Sequence, residues 1–95
     1  MMGANSRLIR ILAVDDHPLL RGGIATLVNA EPDMKLVAEA SNGHEAIEQF
    51  RLHRPDVTLM DLQMPDVNGV DAIERIRREF DDARIVVLTT YTGDV

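Results

Sequence analysis

Four oxygen-bearing side chains carry the chemistry that this 95-residue chain offers: Asp15, Asp16, Asp61 and Thr89. Asp61 closes the apolar run Val57–Asp61 (VTLMD) and opens the loop LQMPDVNG, whose Pro65 and Gly69 punctuate the chain before a helix. Asp15 and Asp16 follow the apolar run of residues 8–14 (LIRILAV) in the same way. A hydrophobic strand that ends on an acid is how an open parallel sheet sets a reactive group outside its carboxyl edge. Three carboxylates gathered there repel one another unless a cation sits among them. Mg2+ is the fitting ion, because it is hard, takes oxygen ligands and is usually held by one or two carboxylates with water and phosphate oxygens. Thr89, next to last in residues 84–90 (RIVVLTT), stands at the same edge and offers a hydroxyl to a phosphoryl oxygen. The chemistry implied is phosphoryl transfer to a carboxylate, with Mg2+ neutralising charge during an in-line displacement.

These groups meet only if the elements around them build the right sheet. Residues 8–14 are apolar apart from Arg10, the pattern of a central strand buried on both faces. A helix follows, with Asp16 or His17 as cap, Pro18 in its first turn and Leu19, Leu20, Ile24, Leu27 and Val28 at helical spacing. Gly22 and Gly23 inside it cost about 1 kcal/mol each relative to alanine, so packing must hold it. Met34–Ala40 (MKLVAEA) is less apolar and reads as a strand near an edge. The turn Ser41-Asn42-Gly43 leads into a helix over residues 44–53, with Ala46, Ile47 and Phe50 on its inner face. After the Asp61 loop, Val70, Ile73, Ile76 and Phe80 mark a third amphipathic helix, with Asp71, Glu74, Arg75 and Arg78 outside. Residues 84–90 are a fourth strand, dense in β-branched side chains. Strand and helix alternate at crossover lengths that require parallel pairing, so the expected fold is a doubly wound α/β sheet.

Composition narrows the function further. Ninety-five residues allow one domain with a thin stability margin. The absence of cysteine excludes disulfides, thiolate metal sites and cysteine catalysis. A formal charge of −6 argues against nucleic-acid binding by this chain, since duplex affinity comes largely from Lys and Arg on phosphates. No apolar run approaches the roughly 20 residues of a membrane span, and the start MMGANS lacks a signal-peptide core, which points to the cytoplasm. Residues 1–7 read as a disordered leader. His17, His44 and His53 show no metal-ligand spacing and read as surface residues; Met34, Met60 and Met64 read as packing, and Asp66 and Asn68 as loop-shaping.

Asp15-Asp16-His17-Pro18, Asp61-Leu62-Gln63-Met64-Pro65 with Gly69, and Val87-Leu88-Thr89-Thr90 together resemble the acidic pair, phosphoacceptor motif and switch threonine of a bacterial response-regulator receiver domain. The phrases DDHPLLRGGIATLV and LTTYTGDV resemble the NarL/FixJ type, whose receivers usually precede a LuxR-like helix-turn-helix. The resemblance covers residues 8–95 and implies a flavodoxin-like receiver fold with strand order 2-1-3-4. It implies that Asp61 accepts a phosphoryl group from a sensor histidine kinase or a small acyl phosphate. It further implies that Asp16 and Asp61 ligate Mg2+, that Asp15 acts mainly through water, that the Gln63 carbonyl completes the protein's share, and that Thr89 swings toward the phosphate. The family continues through a helix, a strand bearing a phosphate-binding lysine and a final helix, so the sequence reads as a receiver truncated at its C-terminal end.

Two other readings use the same sheet. A flavodoxin-like or phosphatase-like protein would need a Gly- or Ser/Thr-rich phosphate loop after the first strand, where Asp15-Asp16 stands, or a second acid where Gln63 stands. Alternatively the chain acts mainly as a self-associating unit, a homodimer or higher oligomer formed through an uncovered face and the fourth strand, with elements exchanged between copies.

Overall fold

The computed structural model describes residues 7–64 and 68–88. Four strands and three helices alternate along it: β1 (Ile9–Val14), α1 (Pro18–Asn29), β2 (Met34–Ala40), α2 (Gly43–His53), β3 (Val57–Asp61), α3 (Gly69–Glu79) and β4 (Ile85–Leu88). The strands form one parallel sheet in the order β2-β1-β3-β4, as expected. β1 lies inside the sheet, between β2 and β3, and Leu12, Ala13 and Val14 at its carboxyl end have no solvent exposure. Its register with β2 shifts between Ile11 and Leu12, where Val37 is the extra residue of a bulge.

Strand order decides which face each helix covers. The first crossover runs from β1 outward to β2, whereas the next two run the other way, to β3 and then β4. Right-handed crossovers therefore put α1 on one face and α2 with α3 on the other. The main core lies on the second face, where Leu12, Val14 and Met60 meet Ala46, Ile47 and Phe50 of α2 and Ala72 and Ile76 of α3. Phe50 packs on Phe80 with ring centroids 5.1 Å apart, and Arg51 of α2 makes a forked ion pair with Glu79 of α3.

The α1 face is thinner than its sequence suggests. Of the five apolar residues expected on the inner side of α1, only Val28 is buried; Leu19 is 89% exposed, Leu27 72% and Leu20 43%. The periodicity is genuine, but a helix lying over β1 and β2 alone has too little sheet beneath it to cover so wide a stripe. Of the two caps expected, His17 occupies the N-cap position, without a side-chain bond to the helix, and Pro18 begins the first turn. α2 starts one residue earlier than expected, at Gly43, because the Asn42 side chain accepts from the Glu45 N–H while Glu45 reaches back to the N–H and hydroxyl of Ser41.

Candidate functional site

Register brings the first and third strands' acids together. Val14 pairs with Met60, so the next residue along each strand is an aspartate, Asp15 on one and Asp61 on the other. Both leave the sheet at its carboxyl edge yet remain buried, 3% and 2% exposed. Asp16 stands beside them, partly exposed. One ligand atom from each of Asp15, Asp16, His17 and Asp61 falls within a 4.8 Å span, which is the geometry of a cation site.

Each carboxylate is held on one side and open on another. Asp15 Oδ1 accepts from the His17 N–H at 2.8 Å and meets His17 Nδ1 at 3.0 Å. Arg21 Nη1 donates to the Asp15 backbone carbonyl at 2.8 Å and Arg21 Nε to Glu39, fixing the turn after β1. Asp61 Oδ1 accepts from the Gln63 N–H at 3.0 Å, whereas its buried Oδ2 has no hydrogen-bond partner. Asp16 Oδ1, also buried and without a hydrogen bond, lies 3.0 Å from His17 Nδ1. A buried anionic oxygen with no donor is costly, and Asp61 Oδ2, set among further carboxylates, fits a hard divalent ion that they would share.

Gly69 sets how closely the loop after Asp61 returns to the sheet. Its N–H donates to the Leu62 carbonyl, and a Cβ there would lie 2.5 Å from the Asp61 carbonyl oxygen and 2.6 Å from Leu62 Cα. Asn68 then caps α3 by accepting from the Asp71 N–H at 2.9 Å, a role beyond shaping the loop.

The structure thus brings together Asp15, Asp16 and Asp61 as expected, with Gln63 contributing its N–H to Asp61. Thr89 follows Leu88, the partner of Asp61 in β4, and lies outside the described residues, as do Pro65, Asp66, Thr90 and Tyr91. His17 is exposed, as expected, and it also joins the acids, whose negative charge raises its pKa, Asp15 through a hydrogen bond first and Asp16 through charge second. The signal was its adjacency to two acids at a strand end; spacing to the other histidines was the wrong test. A cleft of about 460 Å3 lined by Arg7, Arg54, Phe80 and Arg84 among others lies at the opposite, amino edge of the sheet and has no part in this chemistry.

Residues 11–95 match the response regulator receiver domain family. The chain belongs to that family. It is 41% identical over 87 residues to the transcriptional regulatory protein LiaR of Bacillus subtilis, covering 92% of this chain and 41% of that protein. Over 86 residues it is 41% identical to the nitrate/nitrite response regulator protein NarL of Escherichia coli, covering 90% and 40% respectively. Among solved structures, a LuxR-family two-component response regulator from Aurantimonas superposes with a TM-score of 0.85 at 38% identity, covering 90% of this chain and 61% of that one. The response regulator domain of Thermotoga maritima CheB gives 0.84 at 35%, covering 94% and 67%. This receiver domain spans about two-fifths of the length of the curated relatives it matches. None of its described helices is long and apolar enough to cross a membrane.

Proposed function

We propose that this receiver domain is a phosphoacceptor switch rather than a turnover enzyme, and that Asp61 takes the phosphoryl group. The observation that carries the reading is Asp61 Oδ2, buried, without a partner, and set among two further carboxylates at the carboxyl edge of the sheet. Asp61 would attack phosphorus in line, forming an acyl phosphate as the bond to the donor's imidazole nitrogen or acyl oxygen breaks and the leaving group departs with that electron pair. The Gln63 N–H holds the other Asp61 oxygen and so aims the attacking one. Asp15, Asp16, Asp61 and the Gln63 carbonyl would hold Mg2+, which supplies charge neutralisation at the transferring group. Thr89 would hydrogen-bond the phosphoryl oxygen and relay its presence.

The donor is a sensor histidine kinase, and residues 8–95 form one receiver unit in the cytoplasm, with residues 1–7 as a leader. In the full-length protein a helix-turn-helix output would bind DNA, consistent with the transcriptional regulators it resembles and with a receiver of charge −6 that does not bind DNA itself. The test is intact mass after incubation with acetyl phosphate and Mg2+. The expected result is one hydroxylamine-labile phosphoryl group on the wild-type chain and none on Asp61→Asn; equal labelling of both would place the acceptor elsewhere.

A second reading, self-association, is favoured by one observation. Leu19 and Leu27 of α1 and Val86 and Val87 of β4 are exposed apolar side chains, and β4 is an edge strand among the described residues. A second copy of the domain is the proposed occupant, and this assembly is compatible with phosphoryl acceptance.

A further inference from the structure

The acid cluster contains a ligand that Mg2+ does not use. His17 Nδ1 lies 3.0 Å from Asp15 Oδ1 and 3.0 Å from Asp16 Oδ1. Donors at right angles around an ion, each bonded at about 2.1 Å, are separated by about 3.0 Å, so the imidazole and the two carboxylates already have the edge lengths of an octahedral coordination shell. Asp61, 2% exposed, adds its partnerless Oδ2, and one ligand atom from each of the four residues fits within 4.8 Å. Opposite ligands of such a shell stand about 4.2 Å apart, so closing it requires movement of roughly half an ångström. The His17 side chain is 60% exposed, which lets the ring adjust without disturbing the core and leaves Nε2 able to keep its proton in water.

Ligand chemistry then separates ions. Carboxylate and water suit Mg2+, whereas imidazole adds affinity for late first-row ions, iron through zinc. We propose that His17 is a further protein ligand of this cluster, so that the site favours a late first-row divalent ion over Mg2+. The inference rests on the reading of the acid cluster as a cation site and adds an ion preference to it. Ligation replaces the Nδ1 proton held in the hydrogen bond to Asp15: the N–H bond breaks, the proton leaves to water, Nδ1 donates its lone pair to the ion, and the carboxylates supply the opposing charge. His44 and His53 lie on α2, outside the cluster, and take no part.

The experiment is calorimetric titration of the intact chain with Ni2+ and, separately, Mg2+, for the wild type, His17→Ala and Asp61→Asn, with 15N spectra of the histidine rings. Ni2+ serves as the probe because it favours both octahedral geometry and imidazole. The expected result is that His17→Ala lowers the Ni2+-over-Mg2+ affinity ratio by about tenfold or more, the scale seen when even a supporting partner of a metal-bound histidine is lost, and that Ni2+ moves the His17 Nδ1 resonance. Loss of both ions in Asp61→Asn combined with an unchanged ratio in His17→Ala overturns the role of His17 and leaves the cation site standing. Wild-type binding of both ions by Asp61→Asn overturns the cation site, and the His17 proposal with it. Nickel held instead by His44 or His53 leaves the ratio unmoved in His17→Ala and also counts against the proposal.

Discussion

Asp61 owes its position to a residue without a side chain. The Asp61 carbonyl and Leu62 Cα occupy the space a Cβ on Gly69 would need, and both are backbone atoms that cannot turn aside. Gly69→Ala is therefore expected to lower stability by about 1–3 kcal/mol, the usual cost of overpacking, measured by urea denaturation. It should also impair acetyl-phosphate labelling of the fraction that remains folded; unchanged stability would show that the loop has room to yield. His17 gives the pH prediction at this scale. Asp15 and Asp16 raise its pKa above the ordinary 6.5, Asp15 being the larger cause. A group whose folded pKa is raised contributes stability that is fully present below pH 6.5 and lost as pH rises through the folded value. In Mg2+-free buffer the His17 ring resonances should titrate with a midpoint above 6.5, and Asp15→Asn should bring that midpoint back toward it. A wild-type midpoint at or below 6.5 would contradict the contact. Because the ring is exposed, the effect on stability is small.

At the scale of elements, α1 and α2 are held in opposite ways. α2 has local devices at both ends: the reciprocal Asn42, Glu45 and Ser41 bonds at its start, and at its end Arg54, whose N–H donates to the Phe50 carbonyl and whose positive φ of 47° turns the chain out of the helix. That conformation usually falls to glycine. Here Arg54 is held by its guanidinium, stacked 4.1 Å above the Phe80 ring, and by Arg10, which donates to its carbonyl. By contrast, α1 has no side-chain cap, no acid in its first turn, no base in its last, and two adjacent glycines. Open space surrounds the Cβ position at both Gly22 and Gly23. Gly22→Ala and Gly23→Ala should each stabilise the domain by about 0.5–1 kcal/mol through helix propensity and reduced freedom of the unfolded chain, read as a higher urea midpoint at unchanged slope. A loss of stability in either would mean that the glycine has a packing role in solution.

For the molecule as a whole, the imbalance between the two faces of the sheet decides behaviour. Among the described residues, the α2 and α3 face encloses a continuous core, while the α1 face leaves large apolar side chains exposed. Light scattering should find the wild type associating as concentration rises, and Leu19→Glu with Val86→Lys should shift it toward monomer without changing the circular dichroism of the fold. A monomer at every concentration would remove self-association from the functional reading. The charge of −6 opposes association at low salt, so the dimer fraction should rise with ionic strength.

Much of this was legible in the chain. Alternating apolar runs and helical periodicities determined the order of elements, and the apolarity of residues 8–14, broken only by Arg10, pointed to β1 as an inner strand. Acids placed directly after two apolar runs determined that Asp15, Asp16 and Asp61 share an edge, because parallel strands must present the same end together. Periodicity shows that a helix has an apolar side but not how much sheet lies beneath it; only strand order and crossover hand decided that Val28 is buried while Leu19 and Leu27 face water. Nor does spacing along a chain report distances across a turn. His17 enters the acid cluster because the chain reverses direction at the end of β1, where its N–H and ring both turn back onto Asp15, a closeness that only the folded backbone creates.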